Sequence, residues 1–198
     1  MPSNLIRWSG LAALAGGLLF VIGDLLGLAS IGEESFAETA ATGTFILQQL
    51  IFLLGTVLIL FGLFGLYASQ SEATGTLGLV GFLVAFLGTA LTVGAKWAQT
   101  FIAPIVAERA PELLEAENLA FPLSFATFAL GWLLLGVATL RARVYPRWAA
   151  VLLIVGAAIT FFPFLPTPAV VLGVAVACLG FLLFTGRGAS AKQPSRVN

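Results

Sequence analysis

Residues 45–68 read FILQQLIFLLGTVLILFGLFGLYA, from Phe45 to Ala68, and this stretch decides the fold. It carries no charge, and beyond Gln48 and Gln49 only Thr56 and Tyr67 bear polar side-chain atoms. A hydrocarbon core about 30 Å thick needs roughly 20 apolar helical residues to cross it. Only helices and closed barrels can cross, because backbone polar groups find no water there. A barrel strand alternates polar and apolar residues, whereas this run is continuous, so it is a membrane-spanning helix.

The rest of the chain has the same character. Of 198 residues, 60% are hydrophobic and 9% charged. Soluble domains have roughly 45–50% and 25%, so a water-facing surface cannot be built from this composition. Nine basic and nine acidic side chains cancel, which argues against nucleic acid as a partner and against a strongly acidic docking protein. There is no histidine, and the lone Cys178 excludes an internal disulfide, a Cys/His zinc site and a CxxC redox pair. No other metal site and no cofactor motif, whether a Walker loop or a Rossmann fingerprint, is present.

Working outward from 45–68, which Thr44 is positioned to cap, five further apolar runs fall between polar breaks: 10–31, 75–103 ended by Pro104, 122–140, 147–162 and 169–185. Prolines lie at several of these edges, where a missing N–H costs least. The fifth run is short, and the link from Pro163 to Pro168 reads as a turn or a re-entrant corner. The expected fold is all-α: a polytopic bundle of six transmembrane helices in one domain, residues 1–186, followed by a disordered tail, 187–198. Arg7, the apolar run after it and Gly27–Leu28–Ala29 have the outline of a signal peptide. The run exceeds the usual length of such a core and Asp24 interrupts it, so it is read as a retained span.

Charge sets the expected orientation. Placing the N-terminus inside puts Arg7, Arg141, Arg143, Arg147, Arg187, Lys192 and Arg196 on the inner side, opposed there by Glu72 alone. The outer loops then hold Glu33, Glu34, Glu38, Glu108, Glu112, Glu115 and Glu117, opposed by Arg109. A wrong number of spans would scramble this separation. Trp8, Tyr67, Tyr145 and Trp148 fall at inner ends and Trp97 near an outer one, as interfacial anchors. Both termini are expected inside. The longest loop, 104–121, contains a helix start at Pro111–Glu112, read as an interfacial connector or a lid over an outer pocket.

Two ionisable residues remain inside spans, where each costs about 2.5–3.5 kcal/mol on insertion scales. Asp24 and Lys96 lie in the outer halves of the first and third spans, which run in the same direction. Each sits on a small-residue stripe, Gly10, Ala13, Gly17 and Gly27 for Asp24, and Ala85, Gly88 and Thr92 for Lys96. Such stripes turn into a bundle. Gln48 and Gln49 enter at the same depth, and Gln99 follows Lys96 by one turn. The expected cluster is therefore Asp24, Lys96, Gln48, Gln49 and Gln99, either an ion pair that pins three helices or a ligand site. Snorkelling of Lys96 to the interface is a third reading. Trp132 is expected to pack with its N–H on a carbonyl, Cys178 to fill space, and Gly173, Ala177 and Gly180 to form a helix-packing or dimerisation face.

Tyr145–Pro146–Arg147–Trp148–Ala149–Ala150, opening a late span, resembles an element of a broad class of uncharacterised small multi-pass bacterial membrane proteins. That resemblance implies a bacterial cytoplasmic (inner) membrane location and no activity. No catalytic constellation is present, so the chain is expected not to be an enzyme. The leading expectation is an accessory or assembly subunit of a membrane complex, with the bilayer and a protein partner or second copy around it. The alternative is a small transporter or a lipid- or small-molecule-binding protein using the Asp24–Lys96 cluster.

Overall fold

The computed structural model describes residues 3–28, 35–115, 120–162 and 169–186. The described chain is all-helical, 89% helix with no strand. Four helices are long and apolar enough to cross a membrane: α1 (Ser3–Gly27), α3 (Gly43–Ala68), α4 (Ser71–Phe101) and α7 (Ala120–Ala142). Apolar helices of this length are those of a membrane-embedded protein. Two shorter apolar helices follow, α8 (Arg147–Ile159) and α9 (Val170–Phe184), about 20 and 22 Å long at 1.5 Å per residue.

Several boundaries differ from the sequence expectation. α1 begins seven residues earlier than expected, at Ser3 instead of Gly10, because Asn4 to Ser9 continue the helical turns. Thr42, not Thr44, caps α3, its hydroxyl accepting from Phe45 N–H at 3.2 Å. The run 75–103 is a longer helix from Ser71 with one non-helical residue, Gly75, whose φ of 56° glycine adopts without a Cβ penalty. After Phe101 the chain re-enters a helix, α5 (Ala103–Arg109), with Pro104 in its first turn. The connector helix is a single turn, α6 (Glu112–Glu115). Nothing in the reading of the sequence anticipated α2 (Phe36–Ala40), although Ser35 and Glu38 form a capping box around its start. The Pro163–Pro168 link, Glu33, Glu34, Glu117, Ala29 and the tail with Arg187, Lys192 and Arg196 lie outside the described residues.

The six longer helices form a closed ring. Each packs on the next, α1 on α3, α3 on α4, α4 on α7, α7 on α8 and α8 on α9, and α9 closes on α1. Small residues make the seams tight. A Cβ on Gly62 would lie 2.6 Å from that of Ala13, and one on Gly81 would lie 2.8 Å from Leu135 N. Gly10 and Gly17 of α1 face Gly180 and Gly173 of α9, so the Gly173–Ala177–Gly180 face is occupied within the chain. Among the described residues, aromatic side chains fill the middle of the ring. Phe20 of α1 meets Phe52 of α3 edge-on at 5.1 Å and reaches across to Phe128 of α7 at 6.0 Å, with Trp132 beyond it. Fully buried Ile59, Leu63, Leu135, Leu153 and Leu172 continue this core.

Polar groups gather at the two ends of the ring. At one end the short helices α2, α5 and α6 pack together, with Ala40, Phe45 and Ala103 buried and Leu114 against them. At the other, Tyr145 is buried instead of anchoring at an interface, and its phenol shares a 2.7 Å hydrogen bond with Ser69. Tyr67 stacks on Phe82, whereas Trp8, Trp97 and Trp148 are exposed. Burial pushes the Tyr145 phenol above its ordinary value, while the Ser69 hydrogen bond pulls the other way. An acid whose folded pKa is raised contributes stability that is full below the unfolded value and is lost as pH rises through the folded one. Thermal unfolding followed from roughly pH 9 to 11 is therefore expected to show an alkaline loss of stability that Tyr145→Phe diminishes.

Candidate functional site: a caged lysine above an aromatic plug

Asp24 ends the last full turns of α1, α3 enters the same end through Gln48 and Gln49, and α4 returns there with Lys96 and Gln99. The ring thus brings the expected residues to one end, but it does not join them as an ion pair. Among the described residues no acid and base approach within ion-pair distance. The Asp24 Oδ2 instead accepts from Ala169 N–H at 2.8 Å and Val170 N–H at 3.0 Å. It caps α9 from 145 residues away, putting negative charge at the positive end of that helix. Ala169, the N-cap of α9, has no side-chain acceptor of its own, and Asp24 supplies it.

Lys96 is 7% exposed and points between α3 and α7. Its ammonium donates to Gln49 Oε1 and to Gln99 Oε1, each at 3.0 Å. Its Nζ also lies 4.5 Å from the Phe52 ring centroid and 5.4 Å from that of Phe125. Two amide oxygens and two aromatic faces therefore hold a buried cation, with Asp24 acting on it only through space. Phe52 belongs to the aromatic plug, so Lys96 lies on top of that plug, on the side of α2, α5 and α6. Snorkelling is not the arrangement adopted. Gln48 is half-buried and takes no part in holding Lys96; its amide packs against Gly27 of α1.

The arrangement can stabilise negative charge. An ammonium has three donors; two go to the glutamines, and the third meets no acceptor among the described residues. The site has no nucleophile–base pair, and no group of three His, Cys, Asp or Glu capable of holding a metal occurs among the described residues.

A second polar cluster, at the opposite end, was not anticipated. Gln70 at the α3–α4 junction is buried and donates through Nε2 to Thr139 Oγ1 at 2.9 Å, while its Oε1 has no hydrogen-bond partner. Together with the Ser69–Tyr145 bond it ties the α3–α4 junction to α7 and to the link before α8. The signal was Ser69–Gln70–Ser71, a polar triplet too short to be a loop between two long apolar helices. Trp132 is fully buried, and its N–H goes to the Thr89 hydroxyl at 3.2 Å instead of to a carbonyl. Cys178 is half-buried on a groove beside α1. Compared with family models, curated proteins and solved structures, the chain matches none.

Proposed function

We propose that the chain is a six-span membrane protein of a bacterial cytoplasmic membrane, with both termini inside, that acts by binding a small organic anion at Lys96 from the outer side. The observation that carries this reading is the Lys96 ammonium, buried among Gln49, Gln99, Phe52 and Phe125 with no carboxylate in contact among the described residues. A cation held this way in low dielectric is costly unless a counter-charge completes it. The amides and rings suit a carboxylate with an apolar body: the ammonium meets the charge, and Phe52 and Phe125 meet the carbon frame. Six spans are supported by the alternating ring, in which α8 and α9 fill the places of the fifth and sixth helices. The separation of arginines from glutamates supports the orientation.

The accessory-subunit expectation draws less from the packing. The small-residue face on α9 that a partner helix would use is covered by α1.

The test is a thermal-shift series on purified protein with straight-chain carboxylates from acetate to decanoate, for wild type, Lys96→Met and Lys96→Arg. At one fixed ligand concentration wild type is expected to gain more stability as the chain lengthens, reaching about 2.7 kcal/mol for a carboxylate present at a hundredfold excess over its Kd. Lys96→Met is expected to lose that gain while unfolding no earlier than wild type without ligand. A Lys96→Met protein destabilised by several kcal/mol with no ligand present would make the lysine helix glue.

A further inference from the structure

On its lipid-facing side the ring has a groove of about 490 Å³ between α1, α9 and the start of α8, separate from the Lys96 site. Its walls are almost wholly apolar: Leu14 and Leu18 of α1, Val174, Cys178 and Phe181 of α9, and Trp148 of α8. The charge at its open end is of one sign. Arg7 lies two helical turns before Leu14, so it shares that face of α1 about 10 Å farther along. Its guanidinium rests over the Phe184 ring at 5.5 Å, one turn beyond Phe181. Arg147 adjoins Trp148 at the start of α8, and both arginines are exposed. The acid of this end, Glu72, opens α4, which stands across the ring from α9.

We propose that this groove is a binding site for one anionic glycerophospholipid, with an acyl chain lying along Leu14, Leu18, Val174 and Cys178 and the phosphodiester between Arg7 and Arg147. The apolar walls fit a hydrocarbon chain and offer a polar ligand almost no hydrogen-bonding surface. Two unopposed guanidiniums at the mouth select a headgroup with net negative charge, since arginine pairs with phosphate through a planar, multi-donor fork. Arg7 keeps its stacking on Phe184 in this role, because the ring occupies one face of the guanidinium and leaves its edge donors outward.

Native mass spectrometry tests it. The delipidated full chain is titrated in detergent with dioleoyl-phosphatidylglycerol or dioleoyl-phosphatidylcholine. One retained phosphatidylglycerol is expected, held more tightly than phosphatidylcholine. Arg7→Gln and Arg147→Gln are each expected to weaken it about 5-fold, leaving phosphatidylcholine retention unchanged. Leu18→Trp, which fills the groove from an exposed position, is expected to remove the bound lipid of either kind while both arginines remain. Equal retention of the two lipids overturns the proposal. So does undiminished phosphatidylglycerol retention in the double arginine variant, whose fold is checked by an unfolding temperature matching wild type without lipid.

Discussion

Gly131→Ala is expected to cost the most stability of any single-methyl change in the ring, about 3 kcal/mol or more. A Cβ there would fall on the backbone of α4, touching Ala85 N and Cα and lying 2.5 Å from the Val84 carbonyl carbon. Neither contact is with a flexible side chain, so the only relief is to move α4 from α7, and Gly88 against Phe128 in the same seam resists that. Parting the helices also draws Trp132 away from Thr89 and loosens the plug at Phe128. Gly94→Ala is the matched control, because a Cβ there meets nothing within 4 Å. It is expected to stay within about 1 kcal/mol of wild type, on the stabilising side, as alanine restricts the unfolded chain. Thermal unfolding of both proteins in the same detergent decides the matter. Equal midpoints would show that the α4–α7 seam yields freely.

Asp24→Ala is expected to be the most damaging change to a polar side chain. It bares the Ala169 and Val170 N–H groups, each costing about 1–3 kcal/mol when buried without a partner. Asp24→Asn keeps a carbonyl oxygen for the same donors and forfeits only the charge at the helix end, a loss of about 1 kcal/mol. Hydrogen exchange gives the sharper readout: Asp24→Ala is expected to raise exchange over the first turns of α9 while leaving the Lys96 end of α4 unchanged. If the two substitutions were equally harmful, or if exchange rose around Lys96 instead, Asp24 would be acting as the partner of the lysine.

The role of Asp24 marks where reading the sequence stops. The four long apolar helices were legible because a bilayer sets a minimum length of apolar helix for whatever crosses it. The depth of Asp24 and Lys96 was legible too, since counting residues along parallel helices fixes height. Azimuth around the ring was not. Whether Asp24 turns to Lys96 or to α9 depends on the closure of α9 onto α1 through Gly10, Gly17, Gly173 and Gly180. Stripes of glycine announce that a face is buried without naming the helix that buries it. Gln49 and Gln99 stand out in the sequence as neighbours of the lysine, but its aromatic walls do not, because Phe52 and Phe125 are two among 17 phenylalanines. The Ser69–Gln70–Thr139–Tyr145 cluster was hidden for another reason: polar residues at helix ends read as boundaries, and only the fold shows that these ends meet.

The plug of Phe20, Phe52 and Phe128 also bears on the electrical behaviour of a membrane that houses this protein. Because packed side chains fill the space between the Lys96 and Tyr145 ends, most of any voltage applied across the molecule would fall across those rings. Each elementary charge carried past them would exchange about 2.3 kcal/mol with the field per 100 mV. On the proposed reading, an anion bound at Lys96 would rest on one side of the rings near the potential of that side, so its occupancy is expected to be nearly indifferent to voltage.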